Sequence, residues 1–207
     1  NETVPCLPQC VGPRLAQALL EAPRQNDCPA PMSRVLSRGL AFLVRGVGEP
    51  LWASGSWDLL YADWRDGRAF GQLLRGVLNY RGLALLIIRA LTSQEVFGAL
   101  ADCWEEGNGV FGGSSDCLLL SVWPTFQVYR STGRSKNHVY LNSRNKKVPR
   151  GLGFGGQLGN FRLWVSSDME DCTASPADTV YSAGPVLSSR GGDSQQKPVQ
   201  IWQIEVW

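Results

Sequence analysis

The sequence has 207 residues, and 43% of them are hydrophobic, which is typical of a folded domain and excludes an intrinsically disordered chain. Its formal net charge of +2 is too small to indicate any class of partner. The longest apolar run, from Leu83 to Ile88, is far shorter than the ~20 residues that a membrane-spanning helix needs.

The cysteine content indicates a reducing compartment. Six cysteines are too dilute in a chain of this length for a disulfide-rich secreted scaffold: Cys6, Cys10, Cys28, Cys103, Cys117 and Cys172. Cys117 lies in an apolar run, which predicts a free buried thiol. Cys6 and Cys10 have a C-x3-C spacing and no nearby histidine, which argues against a zinc site. We therefore predict no metal and no other cofactor.

The first 32 residues are predicted to lie outside the folded domain, which we place at residues 33–207. They carry six prolines, which indicate a linker or the end of an upstream helical region. Only one short helix fits between these prolines, from Arg14 to Glu21.

Two further helices are predicted. The first extends from Ser33 to Val44, because its apolar residues share one face and the Ser33 hydroxyl can cap it. The second extends from Arg68 to Leu78 and carries a buried apolar stripe. Asp66 and Gly67 precede it as a turn, in which Asp66 could act as the cap.

The remaining pattern predicts short strands, separated by turn residues, which together indicate a mainly β fold of the α+β class, an antiparallel two-sheet sandwich with flanking short helices. The predicted strands are Trp57–Tyr61, Leu83–Ile88, Glu95–Leu100, Cys117–Val122, Phe126–Tyr129, Val139–Leu141, Phe161–Val165 and Trp202–Val206. In the last strand the alternation places Trp202, Ile204 and Val206 in the core and turns Gln203 and Glu205 to water. Residues 182–198 lack an apolar pattern, so we expect a mobile loop there.

A glycine-rich segment precedes the strand at Phe161. Residues 151–159 contain five glycines, which we interpret as a loop that leads into this strand. Gly151, Gly153 and Gly156 also match G-x-G-x-x-G, the dinucleotide-binding pattern. That pattern binds a pyrophosphate only where a helix follows it, and here the sequence predicts a strand, which argues against nucleotide binding.

Few residues could support catalysis. His138 is the only histidine, it is expected at the surface where a strand begins, and no G-x-S-x-G elbow accompanies it, which argues against nucleophilic hydrolysis. Two acidic groups could in principle act as paired carboxylates or bind calcium, but we interpret them as solvated loop charges: Asp102, Glu105 and Glu106, and Asp168, Glu170 and Asp171.

A basic stretch occupies residues 130–150. It contains seven lysines and arginines and no acidic residue, namely Arg130, Arg134, Lys136, Arg144, Lys146, Lys147 and Arg150. Such a stretch could bind phosphates, anionic lipid or an acidic protein surface, and a hairpin with solvated basic turns is the alternative. Because no RNA-recognition or zinc-finger pattern accompanies it, we predict no nucleic-acid partner.

The order of several short motifs resembles a TLDc domain, the module of the oxidation-resistance proteins, from about residue 33 to the end. The Gly151–Gln157 segment and Tyr140–Asn142 are most similar to the lysosomal, mTOR-associated branch of this family. The motifs that carry the resemblance are Trp57–Tyr61, Asp66–Phe70, Glu95–Ala99, Phe111–Gly112, Asp116–Leu120, Val128–Gly133, Gly155–Asp168 and Ile204–Trp207.

The resemblance implies a two-sheet sandwich and a cytoplasmic protein at the cytosolic face of lysosomes or other acidic compartments, with at most peripheral membrane association. It further implies a non-enzymatic module that binds the peripheral sector of the vacuolar-type proton ATPase and modulates its assembly or activity. Links to oxidative-stress resistance and to mTOR pathway components are also implied. The partner-binding residues implied are Gly155, Gly156, Asn160, Arg162, Asp66 and Gly67, and Asp116 falls on an acidic position of the family.

The sequence departs from the family pattern in three motifs, at five positions. Ser115 stands for a glycine and Leu118 for a phenylalanine. Asp116 stands for a glutamate, Asp66 for a histidine, and Arg162 for a glycine on the strand after the glycine-rich segment. Arg162 could contact a partner or close a site. The alternative function is a small-ligand-binding or hydrolytic enzyme with a site at the strand ends around Asp116, His138 and Asp168, which predicts that these three side chains converge in a pocket.

Overall fold

The computed structural model describes residues 32–47, 57–187 and 198–207, and within these ranges it contains three helices and eleven strands. The helices are α1 (Arg38–Val47), α2 (Asp63–Asp66) and α3 (Phe70–Val77). The strands are β1 (Tyr61–Ala62), β2 (Ala84–Ala90), β3 (Val96–Ala101), β4 (Phe111–Gly112), β5 (Leu118–Trp123), β6 (Gln127–Arg130), β7 (Val139–Asn142), β8 (Gly151–Phe154), β9 (Leu163–Ser166), β10 (Asp171–Ala174) and β11 (Val199–Val206).

The strands form two antiparallel layers that share β11. Their order is β4-β7-β8-β9-β10-β11-β2-β3-β5-β6, and β1 pairs with β11. The first residues of β11 pair with β10, whereas Ile201–Val206 pair with β2. We call the layer of β1, β11, β2, β3, β5 and β6 sheet A, and the layer of β4, β7, β8, β9 and β10 sheet B. The predicted mainly β sandwich is therefore confirmed.

The main core lies between the inner faces of the two sheets. Sheet A contributes Leu86, Ile88 and Phe97, and sheet B contributes Leu152 and Leu163, all of them fully buried. Burial of such side chains contributes roughly 1.5–3 kcal/mol each to folding. Alternation along each strand sends the intervening residues to the outer faces.

The outer face of sheet A is also covered. Leu85 and Ile87 of β2 form a second buried cluster with Val35 and Leu36 and with α1. This cover explains why the central strand is a continuous apolar run, as the sequence predicted for a strand buried on both faces.

Both predicted helices begin later than expected. The hydroxyl of Ser33 accepts the backbone N–H of Leu36 at 2.8 Å, but in a turn, and the Ser37 hydroxyl accepts the N–H of Leu40 at 3.3 Å where α1 begins. Asp66 does not cap α3. It ends α2 and accepts the backbone N–H of Ala62 at 2.9 Å.

The predicted facing of the last strand is wrong at two residues. Trp202 is 39% exposed, whereas Glu205 is fully buried. A register shift between Ile201 and Gln203 breaks the strict alternation, and the segment at residues 33–34 covers the outer side of β11. Ile204 and Val206 are buried, as predicted.

Several sequence predictions fall outside the described residues, among them the helix from Arg14 to Glu21 and most of the loop predicted at residues 182–198. Within the described part of that loop, Val186 and Leu187 are buried in the main core.

Candidate functional site

The glycine-rich segment begins as a strand, not as the predicted loop. Gly151–Phe154 forms β8 between β7 and β9, where Gly153 stands opposite Tyr140 on one side and Trp164 on the other. A Cβ atom on Gly153 would lie 2.5 Å from the ring of Phe161. Glycine is therefore needed here because an aromatic ring packs directly on the backbone.

After β8 the chain turns sharply at Gly155 and Gly156, whose φ angles are +66° and +71°. The backbone N–H of Gly155 donates to the carbonyl of His138 at 3.1 Å. The N–H of Gly156 donates to Oδ2 of Asp178 at 2.8 Å, and the side chain of Asn137 donates to its carbonyl at 2.9 Å. The glycine pair is thus fixed from two neighbouring loops.

Residues 157–160 form a tight hairpin that this turn presents to solvent. Gln157 and Asn160 exchange backbone hydrogen bonds of 3.0 and 2.9 Å, and Gly159 has a φ of +81°. Leu158 is 45% exposed at the tip, and Asn160 is also exposed. We refer to residues 155–160 as the glycine hairpin.

Asp178 anchors this hairpin and was missed by the sequence analysis. Its side chain is 5% exposed, and its two oxygens accept the backbone N–H groups of Gly156 and Tyr181. The only signal is its place after Pro176 in a polar turn, where an aspartate is common. Nothing in the sequence indicates a partner 22 residues away.

Arg162 is fully buried, so its side chain is not at the surface, where a direct partner contact would need it. Its guanidinium donates to the carbonyls of Ser175, Ser182 and Gly184, and its Nε lies 4.0 Å from Oδ1 of Asp178. Burial lowers the pKa of Arg162, whereas Asp178 and Tyr129 oppose this shift. The structure places Arg162 inside the fold, where its guanidinium binds the carbonyls of a neighbouring loop.

Asp66 and Gly67 lie on sheet A, next to the edge formed by β1. The hydrogen bond from Arg65 lowers the pKa of Asp66, and the two charges are 2.8 Å apart. Gly67 has a φ of +87° and a Cβ there would meet nothing within 4 Å. Among the described residues, no hydrogen bond or ion pair joins Asp66 or Gly67 to the glycine hairpin.

The three residues of the alternative enzyme site differ in exposure and in their hydrogen-bond partners. Asp116 and Asp168 are exposed, and Oδ1 of Asp168 accepts hydrogen bonds within its own turn, from Ser166 and from the N–H of Glu170. His138 is only 4% exposed, so its predicted surface position is wrong. Its Nε2 is 3.1 Å from the Ser131 hydroxyl, but its Nδ1 has no partner among the described residues. A histidine that acts as a general base is normally oriented by such a partner.

Asp102 and Glu106, from the first acidic group, accept hydrogen bonds from residues of other segments. One oxygen of Asp102 accepts the thiol of Cys117 at 3.1 Å, and Glu106 binds Ser143 and Arg144. Burial acts to raise the pKa of Asp102, but hydrogen bonds from Ser114 and Cys117 outweigh it and the pKa is lowered. Among the described residues no cluster of three metal-ligating side chains occurs.

The cysteines of the described ranges, Cys103, Cys117 and Cys172, are free. Burial raises the pKa of both Cys117 and Cys172 to about 12, so these two thiols stay protonated at neutral pH. The prediction of a free buried thiol at Cys117 is confirmed. Since the thiolate is the nucleophile, neither residue suits direct reaction with an oxidant.

The basic stretch does not form one continuous surface. All of its basic side chains are exposed, but Arg134 and Lys136 precede β7, whereas Arg144, Lys146, Lys147 and Arg150 follow it. The two groups therefore lie at opposite ends of a four-residue strand, roughly 13 Å apart at about 3.3 Å per residue.

The order of the strands and the position of the glycine hairpin agree with the motif series found in the sequence. The sequence model of the TLDc domain matches residues 48–207. The chain belongs to the TLDc family. This match covers every described strand, and so it includes the glycine hairpin of the TLDc domain together with Asp178 and Arg162.

Curated relatives of the TLDc chain fall into two groups. The human mTOR-associated protein MEAK7 is 35% identical over 153 residues, and its chicken counterpart is 36% identical over 150 residues. Oxidation resistance protein 1 of Xenopus tropicalis is 28% identical over 161 residues. These matches cover 73%, 72% and 78% of this chain, but only 32%, 31% and 17% of the relatives, so the chain corresponds to a third or less of their length. Each helix of the described part is too short or too polar to cross a bilayer.

Substitution of the hairpin glycines should separate two causes of strain. A Cβ on Gly156 would lie 2.2 Å from the backbone oxygen of Asn160, whereas Gly159 has a similar positive φ and open space around it. We expect Gly159→Ala to lower the free energy of unfolding by about 1–2 kcal/mol, the cost of a left-handed alanine. Gly156→Ala should cost roughly 3 kcal/mol or more, since the backbone must also shift. Urea unfolding of both variants measures these losses. Equal losses of unfolding free energy would show that the close contact with the Asn160 oxygen adds no strain.

Proposed function

We propose that this chain is a non-enzymatic interaction module that binds the peripheral sector of the vacuolar-type proton ATPase and modulates its assembly or activity. Membership of the TLDc family supports the proposal, and in the described part of the chain Nδ1 of His138 has no partner that would orient it as a general base. The observation that carries it is the glycine hairpin, in which buried anchors hold an exposed apolar tip at Leu158. A preorganised exposed side chain loses little conformational freedom on binding.

The position of Leu158 makes it the best residue for a test. Gly155 and Gly156 are required by the fold, so their substitution would not distinguish a lost contact from a disturbed hairpin. Leu158→Glu changes only an exposed side chain at the tip. Leu91→Glu is a matched control, because Leu91 is 46% exposed but lies in the turn between β2 and β3 on sheet A.

We expect immobilised wild-type chain and the Leu91→Glu variant to recover the purified peripheral sector equally. The Leu158→Glu variant should recover it at least about tenfold less, the effect of truncating a central apolar contact. Circular dichroism and thermal unfolding should show that all three proteins are folded. Equal recovery by all three would remove the hairpin tip from the interface, and no recovery by the wild type would reject the pump as partner.

Two further features belong to the same proposal. The names of the relatives, an mTOR-associated protein and oxidation resistance protein 1, support a link to mTOR signalling and to oxidative-stress resistance. The proposed location is the cytosolic face of lysosomes or other acidic compartments. We also propose that the domain extends over residues 33–207, upstream of the family match at residue 48; burial of Val35, Leu36 and α1 on sheet A supports this.

A further inference from the structure

The outer face of sheet B carries an aromatic cluster with a depression beside it. The rings of Phe161 and Trp164 stack with centroids 4.4 Å apart and an interplanar angle of 14°. Trp164 is only half-buried. Next to this stack a depression of about 160 Å³ is lined by Pro149, Gly159, Phe161, Trp164 and Thr173. A depression of this size can hold one apolar side chain, and aromatic walls favour such an occupant.

A basic loop, residues 143–150, borders this depression through Pro149. Arg144 pairs with Glu106 at 3.1 Å. Lys146, Lys147 and Arg150 are exposed, and none of them has a carboxylate at ion-pair distance in the described part of the chain. The basic loop therefore presents three uncompensated cations next to an apolar depression.

Asn142 holds the basic loop in one conformation. This residue is 2% exposed, and its side-chain nitrogen donates to the carbonyls of Asn145 and Pro149 at 2.9 Å each. Its side-chain oxygen accepts the backbone N–H of Asn145 at 3.0 Å. The hydroxyl of Tyr140, from the aromatic cluster, also donates to the Pro149 carbonyl at 2.7 Å. The loop and the aromatic cluster are thus fixed relative to each other before any partner binds.

We propose that the depression and the basic loop form a docking surface for an extended acidic peptide segment that inserts one apolar side chain. The apolar side chain occupies the space beside the Phe161–Trp164 stack, and flanking carboxylates face Lys146 and Lys147. Charge complementarity selects the acidic segment. The turn that carries Asp168 adjoins Arg150, where Ser167 N–H donates to the Arg150 carbonyl at 3.1 Å. Arg150 thus already has an acidic side chain in the adjoining turn. The carboxylates of the bound segment are therefore expected beside Lys146 and Lys147.

A lipid surface fits these observations less well. Cations near an anionic membrane contribute about 1 kcal/mol each, and stable anchoring uses clusters of roughly four to eight. The basic loop offers four basic residues, of which Arg144 is paired with Glu106, and a concave depression does not match a flat bilayer.

The test uses a fluorescein-labelled synthetic peptide with one central phenylalanine between glutamates, followed by fluorescence anisotropy with the full chain. We expect saturable binding that weakens as salt is raised. A peptide with glycine in place of phenylalanine loses the apolar contact in the depression, and one with glutamine in place of the glutamates loses the attraction to the lysines. Each should bind at least about tenfold more weakly.

Matched variants locate the site. Lys146→Glu with Lys147→Glu should weaken peptide binding about tenfold or more, and Thr173→Tyr should do so by filling the depression. Arg134→Glu with Lys136→Glu makes the same change in net charge at the other end of β7 and should bind like the wild type. Equal affinity of the two double variants overturns the proposal, as does absence of peptide binding.

Vesicles of phosphatidylserine and phosphatidylcholine complete the test. Binding to vesicles but not to the peptide, lost in the Lys146→Glu, Lys147→Glu variant, would overturn the proposal in favour of a lipid surface. The docking surface rests on the proposed interaction function, yet the titration contains no pump. A failed titration therefore leaves the result for Leu158→Glu unaffected, and failed pump recovery leaves the peptide result unaffected.

Discussion

Glu205→Gln is expected to lower the free energy of unfolding by about 3–5 kcal/mol, a large effect for one isosteric substitution. The Glu205 carboxylate is fully buried and accepts four hydrogen bonds, two on each oxygen. The donors are the hydroxyl of Ser33 at 2.6 Å, the backbone N–H of Arg34 at 2.8 Å, and the indole N–H groups of Trp64 and Trp207, both at 3.0 Å. A glutamine keeps one acceptor oxygen and turns an NH₂ group toward the other two donors, so at least one N–H donor loses its acceptor and faces a like donor.

Denaturant unfolding followed by tryptophan fluorescence measures this effect. Trp64 and Trp207 donate directly to Glu205, so the native emission should also change in the variant. Gln200→Ala is the control, because Gln200 is exposed on the same strand, and its substitution should stay within about 0.5 kcal/mol of the wild type. A Glu205→Gln variant as stable as this control would show that the four hydrogen bonds contribute nothing net.

The same residue shows how far the sequence predicts the fold. Alternation of apolar and polar residues indicated the strands and their sandwich arrangement, because a buried inner face imposes a period of two. It assigned Glu205 to water, since a charged residue between Ile204 and Val206 normally faces solvent. Trp207 lies two positions away, but the other three donors to Glu205 come from residues 33, 34 and 64, more than 140 positions away. Local pattern carries no information on such partners.

The glycine-rich segment shows a second limit. Dense glycine indicates either a loop or a close approach to the backbone, and the sequence alone favoured the loop. In the structure Gly151 and Gly153 are in β8, and the rings of Trp164 and Phe161 occupy the space that their side chains would need. Only the pairing register, which sets Gly153 between Tyr140 and Trp164, distinguishes the two interpretations.

The candidate site was predicted in part. The turn at Gly155 and Gly156 lies where the motif placed it, and its exposed neighbour Asn160 is beside it. Asp178 could not be predicted, because an isolated aspartate in a polar loop has many possible partners. Arg162 was placed among the residues that contact a partner because it falls in the family motif that follows the glycine pair. Its burial depends on three carbonyl groups of a loop that has no regular secondary structure.

Arg162→Met is expected to lower the free energy of unfolding by about 3–5 kcal/mol. Methionine fills a similar volume but donates no hydrogen bond, so the carbonyls of Ser175, Ser182 and Gly184 lose their guanidinium donor. The substitution also leaves the buried Asp178 carboxylate without its neighbouring cation. Arg162→Lys should cost less, about 1–3 kcal/mol, because an ammonium keeps the charge but cannot reproduce the planar fork. Arg134→Met, at an exposed arginine, is the control and should stay within about 0.5 kcal/mol.

Hydrogen exchange should show where Arg162→Met acts. The amide of Gly184 donates to Pro176 at 2.9 Å, and that of Tyr181 donates to Asp178 at 2.9 Å, so both should exchange faster once the loop loses its central cation. Asp178 also accepts the N–H of Gly156, so loosening of this loop should reach the glycine hairpin. Faster exchange at Gly156 together with weaker recovery of the pump sector would show that Arg162 stabilises the conformation in which the hairpin presents Leu158. Unchanged exchange at Gly156 would show that the hairpin keeps its conformation without Arg162.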